Sequence, residues 1–196
     1  MNNEVEGVIL AGGKSSRMGE NKSLVLLDKK PLIAHVFSRM KKQVGKLSIN
    51  SNEFLSIFPQ SLQFADALPG QLGPLSGIFS GLVNANTDWV QFCPNDTPFF
   101  PTNLVDRLSS YIDKKNPKII LPTANDKLEP VFLLCPKNLA SNCEEFLSSG
   151  ERKLETWIKS NNFQTVDFEE KGAFFNSFRS SFAYICLFKD EEKNKR

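Results

Sequence analysis

Short apolar runs alternate with amphipathic segments along most of the chain, and this alternation restricts the folds that it can adopt. Residues 5–11 form a buried-strand pattern that stops at two glycines, and the apolar residues that follow Pro31 recur at helical spacing. Strands that alternate with helices predict a largely parallel sheet built from right-handed crossovers. We therefore expect an α/β protein, a three-layer α/β/α sandwich around a mostly parallel but mixed sheet.

The later segments continue this alternation. A helix is predicted to begin at Pro74, where proline suits the first helical turn. The apolar residues of 178–188 do not decide between helix and strand. The same patterns predict strands over 46–50, 63–65, 88–93, 118–121 and 130–134 and near Val166, and helices over 103–115, 137–148 and 152–160.

Length and composition indicate one domain in a cytoplasmic protein. The 196 residues suit a single domain, which we divide into a first half, 1–100, a second half, 101–188, and a flexible tail, 189–196. A formal charge of +2 argues against nucleic-acid binding, which usually needs a basic excess. The polar N-terminus resembles no signal peptide, and no apolar run approaches the roughly 18 residues of a membrane span.

The scarcity of histidine and the cysteine spacing exclude several catalytic classes. His35 is the single histidine, and it lies in a helical pattern where a surface position is expected. Ser-His-Asp chemistry and multi-histidine zinc sites are therefore disfavoured. The four cysteines contain no C-x-x-C pair, and their thiols are expected to be reduced.

Polar or glycine-rich residues follow each of the first four predicted strands. A glycine pair follows the first strand, and the next three strands end at Asn50, Asp66 and Asp96. In open α/β sheets, ligands bind beyond the carboxyl ends of the strands. These strand ends supply donors, acceptors and a carboxylate, which are the groups that a nucleotide and a divalent metal require.

The loop after the first strand has the composition of a phosphate-binding turn. Gly12 and Gly13 allow backbone N–H groups to approach an anion, while Arg17 and Lys22 supply positive charge. The spacing fits neither a Walker A loop, since Val8 replaces a required glycine, nor the G-x-G-x-x-G fingerprint. The alternative is an ordinary strand-to-helix turn with solvated cations.

Asp96 follows a buried strand within a Pro-Asn-Asp-Thr-Pro segment, and two interpretations remain open for it. The carboxylate can coordinate Mg²⁺ that bridges phosphate oxygens, or it can cap the following turn. Asn50 can likewise be a simple strand-end residue, and Asp66 a turn cap. Gly77 can mark close packing at a helix start.

An ordered set of motifs across nearly the whole chain resembles the nucleotidyltransferases with a glycosyltransferase-A-like fold, and the Ala-Gly-Gly form of the first loop most resembles the molybdenum cofactor guanylyltransferases. The matching segments are Leu10 through Lys22, Lys30-Pro31-Leu32, Asn50-Ser51-Asn52, Asp66, Gly73 through Ile78, Cys93 through Phe99, Gly150-Glu151-Arg152 and Phe175-Asn176.

The resemblance implies a Rossmann-like nucleotidyltransferase fold and roles for several of the matching residues. Arg17, Lys22 and Asp96 would be catalytic, and Asp96 would hold Mg²⁺. Asp66 would accept from guanine or from a ribose hydroxyl. Nucleotide contacts would come from Leu10, Ala11, Gly12, Gly13, Lys22, Asn50, Asp66, Gly77, Asp96 and Asn176.

The activity implied is transfer of GMP from GTP to the phosphate of the molybdopterin-molybdenum cofactor, giving molybdopterin guanine dinucleotide and pyrophosphate. Cofactor-synthesis proteins and molybdoenzyme clients would be transient partners. Two alternatives stay open: a related enzyme that uses CTP or a sugar-phosphate acceptor, and a catalytically impaired cofactor-binding homologue.

Three departures from the family pattern bear on those alternatives. The usual Asn-x-Asn near the C-terminus is Asn176-Ser177-Phe178, Asn95 precedes the metal aspartate, and Glu129 precedes Pro130. These changes concern the acceptor more than the nucleotide.

Overall fold

A computed structural model describes residues 1–12, 25–70, 72–169 and 174 of the chain. Within these residues, one sheet of eight strands and a separate two-stranded hairpin are flanked by helices. The sheet strands are β1 (Asn2–Leu10), β4 (Val44–Asn50), β5 (Gln63–Phe64), β6 (Trp89–Pro94), β7 (Ile119–Ala124), β8 (Lys127–Leu128), β9 (Leu134–Pro136) and β10 (Phe163–Asp167). The hairpin is β2 (Leu26–Leu27) and β3 (Lys30–Pro31), and the helices are α1 (Leu32–Met40), α2 (Pro74–Asn84), α3 (Leu104–Ser109), α4 (Ala140–Ser148) and α5 (Leu154–Lys159).

The sheet is mostly parallel and mixed, as the sequence predicts. Its strands lie in the order β10-β7-β9-β6-β1-β4-β5, and β8 pairs with β7. Strand β1 is parallel to both β4 and β6, β4 is parallel to β5, and β7 is parallel to β10. Strand β9 is antiparallel to β6 and β7 and lies between them. Strands from both halves of the chain therefore share one sheet.

Helices cover both faces of the sheet and complete the predicted three layers. Side chains of β1 alternate between the faces: Val5 and Ile9 join the core under α1 and α3, while Val8 and Leu10 join the core under α2, α4 and α5. This alternation follows from the two-residue period of a strand. Burial of two apolar faces supplies the main driving force for folding.

Helix α2 presents glycine to the sheet, and its backbone packs against a ring there. A Cβ added at Gly81 would lie 2.5 Å from a ring carbon of Phe92 in β6. No side chain fits at that position without a shift of the ring.

The helix predicted over 103–115 is shorter, since α3 ends at Ser109. Beyond it, Tyr111 and Ile112 form hydrogen bonds to carbonyls three residues back, which is a tighter turn. The helix does not continue because the polar run that ends at Pro117 has no apolar face to bury. Within that run, the Asp113 side chain accepts from the backbone N–H of Lys115 at 2.9 Å.

The strand predicted over 130–134 is wrong in its first part. Residues Pro130–Phe132 form a 3-10 turn, and the strand β9 begins only at Leu134. Pro130, which begins the turn, has no backbone N–H for a strand ladder, and the N–H of Phe132 donates to the Glu129 carbonyl at 3.0 Å. The amide Nε2 of Gln91 in β6 donates to the carbonyl oxygens of Phe132 at 2.8 Å and Leu133 at 3.3 Å, and the Leu133 carbonyl also accepts from the backbone N–H of Phe92 at 2.9 Å. Pairing with β6 therefore begins only at Leu133.

Two tight hairpins were not predicted. Asp28 and Lys29 turn between β2 and β3, and Asn125 and Asp126 turn between β7 and β8, all four with positive φ. This is the backbone of a two-residue hairpin turn, for which Asn and Asp are favoured.

Four phenylalanine rings form a continuous aromatic group in the second half of the sheet. Phe132 lies 5.6 Å from Phe100 and 4.8 Å from Phe174 between ring centroids, and Phe174 lies 5.3 Å from Phe168. All four rings are buried. Edge and tilted contacts at such separations favour aromatic packing.

Within the described ranges, no helix is both long enough and apolar enough to cross a membrane. The segment 178–188, whose structure the sequence left open, lies outside the described residues, as does the tail 189–196.

Candidate active site

Four parallel strands end at the same edge of the sheet, and their ends are in register. Leu10, the last residue of β1, pairs with Asn50 in β4 and with Pro94 in β6, while Asn50 also pairs with Phe64 in β5. At a strand spacing of about 4.8 Å, the ends of β5 and β6 lie about 14 Å apart with β4 and β1 between them. The loops that carry Gly12, Asp66 and Asp96 therefore leave the sheet side by side.

The Asp66 carboxylate is held by two asparagines that follow one strand. Asn50, which is buried at the end of β4, donates from Nδ2 to Asp66 Oδ1 at 3.0 Å. Asn52 donates from Nδ2 to Asp66 Oδ2 at 3.0 Å, and its Oδ1 accepts from the backbone N–H of Asp66 at 2.8 Å. Each carboxylate oxygen thus accepts from a separate amide.

Helix α2 fixes the residue that follows Asp66. The Ser80 hydroxyl accepts from the backbone N–H of Ala67 at 2.8 Å and donates to the carbonyl of Ser76 at 2.7 Å. Two consecutive N–H groups, those of Asp66 and Ala67, are therefore held by side chains from two different elements.

Gly77 leaves the space that the Asn50 side chain occupies. A Cβ at Gly77 would lie 2.4 Å from Asn50 Oδ1 and 2.9 Å from Leu10 Cδ2. The absence of a side chain at position 77 is thus required by the position of Asn50, and this is the close packing that the sequence offered as an alternative for Gly77.

The start of the glycine loop lies against the same asparagines. The backbone N–H of Ala11 donates to the Asn50 carbonyl at 2.8 Å, and Gly12 is exposed. A Cβ at Gly12 would lie 3.6 Å from Asn50 Oδ1 and 3.9 Å from Asn52 Nδ2. The Leu10 side chain is buried under α2, so only the backbone of Leu10 is available to the candidate site.

Asp96 lies two residues beyond the end of β6 and is partly exposed. The hydroxyl of Thr97, which is buried, donates to Asp96 Oδ1 at 3.3 Å. The structure thus brings Leu10, Ala11, Gly12, Asn50, Asp66, Gly77 and Asp96 to one edge of the sheet. Gly13, Arg17, Lys22 and Asn176 lie outside the described residues.

The other titratable candidates of the sequence have structural roles. His35 is in α1, and its Nε2–H donates to the Leu27 carbonyl at 2.8 Å, which ties the helix to the hairpin. Burial raises the pKa of Cys93 and Cys135 well above the usual thiol range and that of Cys143 to about 12. These three thiols stay protonated at neutral pH, so none of them is an activated nucleophile.

Metal binding at this edge would have to rely on few protein ligands. Among residues 1–12, 25–70, 72–169 and 174, no three His, Cys, Asp or Glu side chains are grouped closely enough to enclose an ion. This arrangement differs from the closed sites of structural zinc.

Sequence reasoning assigned no role to Asn52, which holds Asp66, or to Ser80, which holds the neighbouring Ala67. The spacing of Asn52 was a usable signal, because residues two apart at a strand end project to the same side. Ser80 offered none, since its contact with Ala67 joins a helix to a loop 13 residues earlier.

The chain matches the family model described as the MobA-like NTP transferase domain over residues 7–166. It is 38% identical over 182 residues to the molybdenum cofactor guanylyltransferase of Haemophilus influenzae strain 86-028NP, covering 90% of this chain and 93% of that protein. It is 41% identical over 178 residues to the protein of the same name from Histophilus somni strain 2336, covering 88% and 90%.

Solved structures share the fold at lower sequence identity. Molybdopterin-guanine dinucleotide biosynthesis protein A from Archaeoglobus fulgidus superposes with a TM-score of 0.76 at 20% identity, covering 97% of this chain and all of that one. A nucleotidyl transferase from Methanothermobacter thermautotroptrophicus superposes with a TM-score of 0.72 at 13% identity over the full length of both chains. The predicted nucleotidyltransferase fold is thereby confirmed.

Proposed function

The chain belongs to the family of MobA-like NTP transferases and is a nucleotidyltransferase, and from this premise we propose that it is a molybdenum cofactor guanylyltransferase. It would transfer GMP from GTP to the phosphate of the molybdopterin-molybdenum cofactor and release pyrophosphate. The relatives that carry this name match the chain over about nine tenths of its length, and the nucleotide-side motifs belong to the matched region.

The observation that carries the proposal is the register of the four strand ends. Because Leu10 pairs with both Asn50 and Pro94, Ala11 and Gly12 leave β1 between the strand that ends at Asn50 and the strand that leads to Asp96. A nucleotide laid across this edge would meet Asn50 and Asp66 at one end and Asp96 at the other. Ligand binding outside the carboxyl ends of parallel strands is the rule for such sheets.

The nucleotide would be recognised by groups of known polarity. Asp66 offers carboxylate oxygens, which can accept from the N1–H and N2–H₂ of guanine or from a ribose hydroxyl. Gly12 and Gly13 would present N–H groups to phosphate oxygens. Arg17 and Lys22 would neutralise charge on the departing pyrophosphate.

Lys22→Ala should therefore lower turnover, because one of these positive charges is lost. A pyrophosphate-release assay measures the change, and unchanged turnover would mean that Lys22 has no part in catalysis.

Asp96 fits the requirements of a magnesium ligand. Its carboxylate is partly exposed at the strand edge, and no further cluster of protein ligands surrounds it within the described ranges. Mg²⁺ usually binds through one or two carboxylates and keeps water and substrate phosphates as its other ligands. When bound there, the ion supplies positive charge to the phosphate oxygens.

The chain's own residues would position the reactants rather than move protons. A phosphate acceptor is already anionic at neutral pH, so its in-line attack on the α-phosphorus needs no strong general base. This agrees with His35 being tied to the Leu27 carbonyl and with the protonated thiols. Catalysis would rest on orientation and charge neutralisation by the glycine loop, Arg17, Lys22 and Asp96.

The second half of the chain would bind the acceptor. We assign nucleotide binding to residues 1–100 and acceptor binding to 101–188 of one domain, with Asn176 contributing from the C-terminal region. The protein would act in the cytoplasm, with cofactor-synthesis proteins or molybdoenzymes as transient partners and with no nucleic-acid or membrane partner.

The direct test is to incubate the purified protein with Mg²⁺, GTP and molybdopterin cofactor and to search for the dinucleotide product by mass. We expect the guanine dinucleotide and an equal amount of pyrophosphate. Pyrophosphate release is then compared across ATP, GTP, CTP and UTP, with acceptor-free reactions as the control. A strong preference for CTP, or turnover only with a sugar phosphate, would replace the assignment by that of a related transferase.

A further inference from the structure

Asn52 differs from the other polar residues at the strand edge in how its side chain is used. Both polar atoms of its amide bond the same residue: Nδ2 donates to Asp66 Oδ2 at 3.0 Å, and Oδ1 accepts from the Asp66 backbone N–H at 2.8 Å. Asn52 is itself exposed. Because Asn52 is exposed, it contributes little to the core. Both of its hydrogen bonds go to Asp66, so we look for its role in the position of that residue.

The torsion that orients a carboxylate is soft. The terminal torsion of an aspartate is broad, so a single hydrogen bond leaves the plane of the carboxylate poorly defined. Asn50 bonds only Oδ1, whereas Asn52 bonds Oδ2 and also the main chain. The pair of asparagines fixes the carboxylate plane, and Asn52 alone ties that plane to the backbone of Asp66.

The fixed carboxylate lies beside the glycine loop. A Cβ at Gly12 would be 3.9 Å from Asn52 Nδ2, so the loop and the amide are within contact distance. A carboxylate oxygen has two acceptor sites, and an amide donor uses one of them. Each Asp66 oxygen therefore retains acceptor capacity in a fixed direction. Preorganised acceptors bind ligands more tightly because less ordering is needed on binding.

From this geometry we infer that Asn52 is a positioning residue for the nucleotide, which acts through Asp66 by fixing its carboxylate before the nucleotide arrives. The inference rests on the proposed function for the nature of the ligand. It assigns to Asn52 an effect on nucleotide affinity and none on the chemical step, because both of its hydrogen bonds end on Asp66 and neither reaches Asp96.

The test is a double-mutant cycle on Mg²⁺-GTP affinity, with Asn52→Ala, Asp66→Ala and the double variant measured by calorimetry. We expect Asn52→Ala to weaken GTP binding about tenfold, the effect of about one lost hydrogen bond. In the Asp66→Ala background the same change should alter the affinity less than twofold, because the residue through which Asn52 acts is gone.

Steady-state kinetics separate positioning from a general structural role. Asn52→Ala should raise the KM for GTP about tenfold and leave kcat within about twofold, while Tm falls by no more than about 4 °C. The matched control is Asn161→Ala, which also removes an asparagine that bonds the main chain, since Asn161 Nδ2 donates to the Trp157 carbonyl at 2.8 Å. This control should leave both KM and kcat unchanged.

Several outcomes would overturn the inference. The first is a GTP affinity of Asn52→Ala within twofold of the parent value. The second is an equal loss of GTP affinity on Asn52→Ala in the presence and absence of the Asp66 side chain. The third is a fall in kcat of Asn52→Ala at constant KM. If Asp66→Ala binds GTP as tightly as the parent protein, the inference also fails. The proposed function would still stand in that case, provided that the parent protein turns over GTP. If the parent instead binds a different nucleotide, the guanine assignment fails, and the same cycle with that nucleotide decides the role of Asn52.

Discussion

The two halves of the chain differ in the kind of contact that organises them. In residues 1–100, the strand ends carry polar side chains that hold one another, as Asn50 and Asn52 hold Asp66. In the described part of residues 101–174, the notable feature is apolar, namely the rings of Phe132, Phe168 and Phe174. The difference shows that one α/β sheet can combine a preorganised polar network with an aromatic core, and each should respond to its own class of substitution.

The largest effect should come from Asp96, the carboxylate that follows β6 in the first half. Asp96→Ala should lower turnover about a thousandfold with little change in stability, because a metal ligand would be lost at a partly exposed site. Pyrophosphate release at saturating GTP and acceptor measures this. Asp88, an exposed aspartate just before the other end of β6, is the matched control, and Asp88→Ala should be fully active. Turnover above a tenth of the parent value would remove Asp96 from the catalytic machinery, whereas cofactor maturation left intact by Asp96→Ala in a cell assay would favour a cofactor carrier over an enzyme.

Substitutions in the aromatic group should change the stability of the fold. Phe132→Ala should lower the free energy of unfolding by about 3 kcal/mol, since a fully buried ring that contacts Phe100 and Phe174 is removed. Urea denaturation followed by far-UV circular dichroism measures the change. Phe163, whose side chain is 38% exposed in the same half, provides the comparison, and Phe163→Ala should cost much less. Equal losses would contradict a core role for the ring group.

Two glycines of α2 distinguish a site contact from a core contact within the first half. Gly77→Ala should weaken GTP binding about thirtyfold, because the new methyl would displace the Asn50 side chain that bonds Asp66. Gly81→Ala should instead cost about 2 kcal/mol of stability by overpacking against Phe92, and the KM for GTP should not change. Calorimetric titration and urea denaturation on both variants check the pair. A reversal of the two effects would disprove the assignment of Gly77 to the site.

The smallest effect concerns the buried thiols. In a Cys186→Ser protein, the remaining three thiols should not react with a disulfide reagent at pH 8, because burial raises the pKa of Cys143 to about 12 and those of Cys93 and Cys135 further. All three should react after denaturation. Because the thiol pKa is higher in the folded than in the unfolded protein, the buried thiols stabilise the fold at pH values below the unfolded thiol pKa near 9. This stabilisation is lost as the pH rises toward 12. Rapid labelling of the native protein would contradict the burial.

Much of the fold could be predicted because the signals were local. Periodicity identified β1, α1, α2 and β6 with bounds close to those observed. It failed over 130–132, where Pro130 begins a 3-10 turn and where Gln91 donates to the carbonyls of Phe132 and Leu133, a long-range contact that local pattern does not report. The hairpin turns at Asp28 and Asn125 were missed, although Asn125-Asp126 is a usable turn signal.

The candidate site was predictable in its residues but not in its contacts. Asn50, Asp66 and Asp96 stood out because each follows a strand, and the register brings them to one edge. The spacing of Asn52 could place it on the same side as Asn50, but its bond to Asp66 could not be inferred, because the two residues are 14 positions apart and their contact depends on the pairing of β5 with β4.

The sequence by itself determined the alternation of strands and helices, the polar residues at the strand ends and the family to which the chain belongs. Each of these depends on neighbouring residues or on ordered motifs. The tertiary structure alone decided that Gly77 makes room for Asn50 and that two asparagines fix one carboxylate. The physical reason is that hydrophobic periodicity reports which side of a segment is buried, whereas a hydrogen bond between distant residues requires a strand register that no single segment encodes.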